Sequence, residues 1–131
     1  MKKIVFFLLI VSICSSCKKT DGKEEVLCTM EYRSIDIKVQ YADGSSVALD
    51  SFKVVWGERE ITQIFDFEMN QKFGSYPIVD DGLQGELRGL SVPITAYGYL
   101  DGKEVFKEDY LVGADECHIE YHDEKSLIVT I

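Results

Sequence analysis

Apolar and polar side chains alternate over several short stretches of this chain. Between positions 35 and 41 the odd positions carry Ile, Ile, Val and Tyr, and the even positions carry Asp, Lys and Gln. A strand that buries one face shows this period of two. Residues 51–56 repeat the pattern, with Phe52, Val54 and Trp56 on one face, after a turn-forming stretch at 42–46. The pattern therefore predicts two strands early in the chain.

Turn residues predict the strands that follow. Asp101-Gly102 separates residues 91–100 from residues 104–112, and this dipeptide is typical of a tight β-hairpin. Residues 76–79 are also typical of a strand, but Pro77 cannot donate to a ladder, which predicts an edge position. Residues 116–121 and 126–131, joined by a polar turn, complete the series.

Two segments are less regular. Residues 60–67 fit either a strand with an irregularity or a short helical turn. Residues 84–90 are punctuated by glycine, and Leu83, Leu87 and Leu90 are candidates for the core. No segment carries an apolar stripe over three helical turns. Seven or eight short strands therefore predict an all-β fold, a single antiparallel β-sandwich over residues 28–131.

The first seventeen residues predict where the protein is located. Two lysines precede the apolar run 4–11, which is about half of the ~20 residues that a helix needs to span a bilayer. Ser15 and Ser16 then lead to Cys17. This arrangement resembles a bacterial lipoprotein signal over residues 1–16, with Cys17 as the first mature residue and the site of acylation. The alternative is an ordinary secretory signal that leaves Cys17 as a plain thiol.

A Cys17 that carries a diacylglyceryl group and an amide-linked chain, such as palmitate, has several acyl chains. These are expected to hold the protein stably at the membrane, since one chain alone binds only marginally. Residues 17–27 are mostly polar and are expected to form a tether. Lys18 stands where an inner-membrane retention signal of enteric bacteria has Asp, which favours the outer membrane. Whether the domain faces the periplasm or the cell surface stays open.

The charge of the chain excludes one class of partner. The 14 basic and 23 acidic residues give a formal net charge of −9, and removal of residues 1–16 takes two lysines and no acid. A chain this acidic repels the phosphates of nucleic acids, so no nucleic-acid partner is expected.

Two cysteines remain in the predicted domain. Cys28 and Cys117 would lie in an oxidising compartment, which favours a disulfide between the start and the end of the domain. Two free thiols or a metal-binding pair are the alternatives.

Three stretches resemble a known group of proteins. Residues 35–44, 92–102 and 110–118 are similar to segments of small lipoproteins of gut bacteria that carry transthyretin-like or carboxypeptidase-regulatory-like β-sandwich domains. The resemblance implies a non-catalytic module that binds an envelope protein, a glycan or a peptide. It leaves the strand order open between transthyretin-like and immunoglobulin-like arrangements.

Catalytic motifs are missing, so no enzymatic activity and no cofactor are expected. One constellation could hold a metal, because on a strand Glu116, His118, Glu120 and His122 would share one face. A solvated polar face is the preferred explanation, since same-face side chains along one strand diverge. A metal-binding domain or metal-dependent enzyme that uses His118 and His122 is therefore the alternative function. A calcium site at Asp80-Asp81, or at Asp101, with nearby carbonyl groups is a further alternative.

Two tyrosines are candidates for ligand binding. Tyr97 and Tyr99 lie two positions apart in a predicted strand and therefore share a face. If that face is open to solvent, the two rings could form a platform on which a sugar stacks.

Overall fold

The computed structural model describes residues 22, 24–61 and 66–131. The predicted signal and Cys17 lie outside the described residues, as do Ile64 and Phe65. The described part contains eight strands, which are β1 (Ser34–Gln40), β2 (Ser51–Trp56), β3 (Arg59–Ile61), β4 (Ser75–Asp80), β5 (Ser91–Leu100), β6 (Lys103–Ala114), β7 (Ile119–Tyr121) and β8 (Ile128–Thr130). It also contains the helices α1 (Phe67–Phe73) and α2 (Gln84–Leu87) and a 3₁₀ turn at Asp81–Leu83. The prediction of a mostly β fold with seven or eight strands is confirmed.

The strands form two sheets, one ordered β4-β1-β8 and the other β3-β2-β5-β6-β7. Every pairing is antiparallel except that of β8, which runs parallel to β1 from Lys38↔Ile128 to Gln40↔Thr130. The prediction of a purely antiparallel fold is therefore wrong at this pair. After β7 the chain crosses to the other sheet, where the Lys38 N–H donates to the Leu127 carbonyl at 2.8 Å.

Side chains from both sheets form one buried cluster. Ile37 and Val39 of β1 and Ile94 of β5 are completely buried, and Val54 of β2 is 2 % exposed. These are inward positions of the predicted alternation. Among the three leucines predicted for the core, Leu87 is buried and Leu83 half-buried, but Leu90 is 44 % exposed, so that prediction is wrong for Leu90.

The β5–β6 hairpin is the longest pairing in the fold, and it confirms the predicted turn. Asp101 and Gly102 adopt φ values of 51° and 71°, the left-handed conformation that a tight hairpin turn requires. Further along, the register shifts between Gly98 and Tyr99, so Val105 has no partner in the ladder. The bulge lies beside the strand positions that carry the two candidate tyrosines.

Strand β4 lies at an edge of the three-stranded sheet, as Pro77 predicted. Pro77 pairs with Asp36 next to a register shift in β1. Of the ambiguous segment 60–67, the described residues 60 and 61 end β3 and Phe67 begins α1, where the Asp66 side chain accepts the Met69 N–H at 3.1 Å. Within the described ranges, no helix has the length and apolar character needed to cross a bilayer.

Candidate functional site

The outer face of the five-stranded sheet carries both candidate tyrosines. Ile94, Ala96 and Gly98 of β5 are buried and point inward, so Tyr97 and Tyr99 between them point outward and are half-buried. The structure thus places the two rings on the face that meets solvent.

Lysines of the neighbouring strands flank Tyr97. Lys53 of β2 and Lys107 of β6 are its direct cross-strand partners, and their Nζ atoms lie 4.8 and 5.5 Å from the ring centroid. Because β2 and β6 lie on opposite sides of β5, the two ammonium groups approach the ring from opposite sides. Lys53, Tyr97 and Lys107 are called the lysine–tyrosine row below.

The lysine–tyrosine row changes what this face can bind. Each ammonium group lies over the Tyr97 ring in a cation–π contact, so a sugar that stacked on this ring would compete with the two lysine side chains. Tyr99 has only the more distant contact with Lys53, at 5.8 Å. The row therefore offers positive charge and a phenol hydroxyl rather than a flat apolar platform.

The charges around the row are mixed. Within the described residues, neither Lys53 nor Lys107 forms an ion pair with a carboxylate. Asp109, in the adjacent cross-strand row, instead accepts the Thr95 hydroxyl at 2.6 Å. The two ammonium groups are thus available to an acidic group that reaches the centre of the sheet.

A second cluster lies at the other end of the molecule and is centred on a buried histidine. His118 is 6 % exposed, and its Nδ1 lies 2.7 Å from Oδ2 of Asp81. Its Nε2 lies 2.9 Å from Oγ1 of Thr29. Thr29, His118 and Asp81, called the histidine cluster below, therefore form a continuous chain of hydroxyl, imidazole and carboxylate.

Backbone groups hold the Asp81 carboxylate in place. Oδ2 also accepts the Arg33 N–H at 2.8 Å, and Oδ1 accepts the Ile119 N–H at 3.0 Å. Burial alone would raise the pKa of Asp81, but the hydrogen bonds from His118, Ile119 and Arg33 outweigh burial and lower the pKa.

These contacts determine the direction of each hydrogen bond in the histidine cluster. An ionised carboxylate only accepts, so Nδ1 of His118 donates to Asp81. In a neutral imidazole the other nitrogen, Nε2, then accepts, and the Thr29 hydroxyl donates to it. With the imidazole neutral, the proton of the Thr29 hydroxyl points at Nε2 of His118, which can then act as a base.

The disulfide positions the histidine cluster. Cys28 and Cys117 are bonded, with their Cα atoms 5.2 Å apart, which confirms the predicted bridge. Their chain neighbours are Thr29 and His118. Asp115 shapes the loop before β7, because its Oδ1 accepts the N–H groups of Cys117 at 2.6 Å and His118 at 2.7 Å. The His118 and Cys117 N–H groups also lower the pKa of Asp115.

The Asp115 loop explains why the predicted shared face is wrong. Strand β7 begins only at Ile119, so Glu116 and His118 precede the strand on which Glu120 lies. His118 turns inward, whereas His122 is exposed and bonds Ser91 Oγ at 3.0 Å and Glu120 Oε2 at 3.1 Å. Among the described residues, no three His, Cys, Asp or Glu side chains are grouped so that they could hold a metal ion.

Sequence reasoning missed Thr29 and the role of Asp81. The two lie 89 and 37 positions from His118, and the sequence suggested Asp81 only as a candidate calcium ligand. One signal was available: each cysteine of the predicted bridge has a polar neighbour, Thr29 and His118, which a disulfide brings together.

A shallow depression of about 380 Å³ adjoins α1. It is lined by Asp36, Met69, Asn70, Phe73 and Ser75. Met69 and Phe73 are 52 and 57 % exposed, so this depression is partly apolar.

Comparison with protein families, with curated proteins and with solved structures finds no match to this chain.

Proposed function

We propose that this protein is a lipid-anchored binding module of the cell envelope, whose outer sheet face binds a partner that carries an acidic group. The lysine–tyrosine row supports this function. It places two unpaired ammonium groups on either side of one aromatic ring, at the centre of a solvent-facing sheet. The chain has a net charge of −9, so most of it repels anions. The lysine–tyrosine row instead attracts a carboxylate or a phosphate.

The proposal includes the anchor and the wider fold. Cys17 carries the lipid, residues 17–27 form the tether, and the outer membrane is the location. The two sheets form the layers of a β-sandwich of the transthyretin-like or immunoglobulin-like kind. A single buried cluster with side chains from both sheets supports that arrangement. The intact mass of protein purified from membranes tests the anchor, because an unacylated Cys17 contradicts it.

An array of neutral and acidic glycans and peptides tests the binding face. The purified protein is expected to select ligands with carboxylate or phosphate groups, and added salt is expected to weaken binding. The double variant Lys53→Gln/Lys107→Gln is expected to lose about tenfold or more in affinity, since each exposed charge contributes up to about 1 kcal/mol.

Lys72→Gln is the matched control. Lys72 also lies over an aromatic ring, with Nζ 5.7 Å from the centroid of Phe73, but on α1 rather than on the sheet face. Its substitution is expected to leave the affinity unchanged. Selection of neutral ligands, or equal losses in both variants, contradicts the proposal.

A further inference from the structure

We propose that the histidine cluster is a site for acyl transfer, in which the Thr29 hydroxyl attacks the carbonyl carbon of a carboxylic ester. This activity is separate from binding at the lysine–tyrosine row. The absence of short catalytic motifs does not exclude it, because such a triad is recognised by geometry and not by sequence order.

The geometry matches each role in nucleophilic catalysis. Oγ1 of Thr29 lies 2.9 Å from Nε2 of His118, within the range over which a general base takes a proton. Nδ1 of His118 lies 2.7 Å from Asp81, which fixes the tautomer and orientation of the ring. Asp81 is a positioning residue, since it touches the imidazole and not the reacting atoms.

The three residues of the histidine cluster differ in burial, and the difference suits nucleophilic catalysis. The His118 and Asp81 side chains are only 8 and 10 % exposed, whereas Thr29 is exposed. A largely buried base therefore lies beside the hydroxyl of a residue that is exposed to solvent. The N–H of Met30, the next residue, makes no hydrogen bond within the described ranges, so this backbone donor has no partner there.

The exposure of Thr29 also limits the substrate. The depression next to α1 is lined by other residues, so it does not enclose the hydroxyl. An ester that extends from a larger molecule, such as an O-acyl group on a polymer, can reach Thr29 from solvent. An ester that is buried within its own molecule cannot reach Thr29.

The reaction has two stages, acylation of Thr29 and its hydrolysis. The Thr29 oxygen bonds to the carbonyl carbon while its proton passes to Nε2 of His118. The tetrahedral intermediate then expels the alcohol, which takes that proton, and the acyl group remains on Thr29. Water repeats the sequence, with its proton passing through His118, and releases the carboxylic acid and the free hydroxyl.

The experiment uses p-nitrophenyl acetate with the full protein. Release of p-nitrophenol is followed by absorbance, and peptide mass mapping locates the acetyl group. Acetylation is expected on Thr29, with loss of the activity in Thr29→Val and a drop of about 10²-fold or more in His118→Gln. Thr29→Ser is expected to retain the activity, because it keeps a hydroxyl group beside Nε2 of His118.

Thr95→Val is the matched control. Thr95 also donates to a carboxylate, that of Asp109 at 2.6 Å, but without an imidazole between them. Its substitution is expected to leave the reaction unchanged. If the histidine cluster only stabilises the fold, Thr29 of the unmodified protein gains no acetyl group while surface lysines do. That result overturns the proposal, and it does not depend on whether any variant folds.

Discussion

The ring of Phe106 lies over the backbone of Gly98, its cross-strand partner in the β5–β6 hairpin. A Cβ atom on Gly98 would lie 2.7 Å from Cδ1 and Cζ of Phe106 and closer still to Cε1. The φ value of Gly98 is one that other residues also adopt, so the backbone conformation does not require glycine here. Glycine is needed because a side chain has no room beside Phe106. The contact fills the core next to the strand positions that carry Tyr97 and Tyr99.

Replacing Gly98 with alanine is expected to destabilise the protein by about 1–3 kcal/mol, the usual cost of an overpacked core. Urea unfolding measures the change. Gly85→Ala is the control, since Gly85 lies in α2 with no atom within 4 Å of the added methyl group. There alanine is expected to stabilise by up to about 1 kcal/mol. Equal effects at the two positions would contradict the steric explanation.

Two buried tyrosines differ in whether their hydroxyl has a partner. The Tyr76 hydroxyl donates to the Val47 carbonyl at 2.9 Å and accepts the Leu49 N–H at 2.8 Å. Tyr76→Phe leaves both backbone groups unsatisfied, which is expected to cost about 1–3 kcal/mol for each. Chemical denaturation of the variant measures the loss.

Tyr110 provides the control for Tyr76. Its buried hydroxyl has no hydrogen-bond partner in the described part of the chain. Tyr110→Phe removes an unsatisfied polar group and is expected to leave stability unchanged or to raise it. A larger loss for Tyr110→Phe than for Tyr76→Phe would contradict this assignment.

The same two tyrosines predict how stability depends on alkaline pH. Burial raises the pKa of both Tyr76 and Tyr110 above the ordinary value of about 10. Since the folded state binds the two tyrosine protons more tightly than the unfolded state does, the protonated tyrosines stabilise the fold. This stabilisation is complete below about pH 10 and is lost as pH rises further. Unfolding free energy measured from pH 8 to pH 12 is expected to fall less steeply in Tyr110→Phe. Identical slopes in the two proteins would show that Tyr110 does not contribute.

Local patterns predicted most of the strands, and long-range contacts account for what was missed. The alternation at 51–56 and the Asp101-Gly102 turn correctly predicted β2 and the hairpin, because each depends on a few consecutive residues. The parallel pairing of β8 with β1 depends on residues about ninety positions apart. The inward turn of His118 depends on the Asp115 loop, which delays the start of β7, and on Asp81 and Thr29, neither of which is near it in sequence.

The disulfide is expected to contribute much of the stability. It closes a loop between positions 89 apart, for which chain entropy gives roughly 4–5 kcal/mol. Cys28→Ser and Cys117→Ser are each expected to lower the melting temperature, and the double variant is expected to match them, because all three lack the same bond. Adding a reductant is expected to destabilise only the unmodified protein. A double variant much less stable than either single variant would show that the thiols contribute by other contacts.

Asp81 predicts a loss of stability in acid. Its pKa is lowered, because the hydrogen bonds from His118, Ile119 and Arg33 outweigh the effect of burial. Its contribution is therefore complete above the ordinary pKa of about 4 and is lost as pH falls through the lower folded value. Asp81→Asn is expected to cost about 1.5–3 kcal/mol at pH 7, the range for hydrogen bonds to a charged group, and less at pH 3, where the contribution of the carboxylate is being lost. Urea unfolding at both pH values measures the difference.

Asp43 is an exposed control for the buried carboxylate of Asp81. Hydrogen bonds from the hydroxyl and the N–H of Ser45 also lower the pKa of Asp43, but this carboxylate lies in an exposed turn. Water can replace the lost hydrogen bonds there, so Asp43→Asn is expected to change stability far less than Asp81→Asn at pH 7. Two results would contradict this role of Asp81: equal losses of stability in the two variants, or a loss in Asp81→Asn that does not shrink in acid. Either result would show that the ionised Asp81 carboxylate does not stabilise the fold through its contacts with Arg33 and His118.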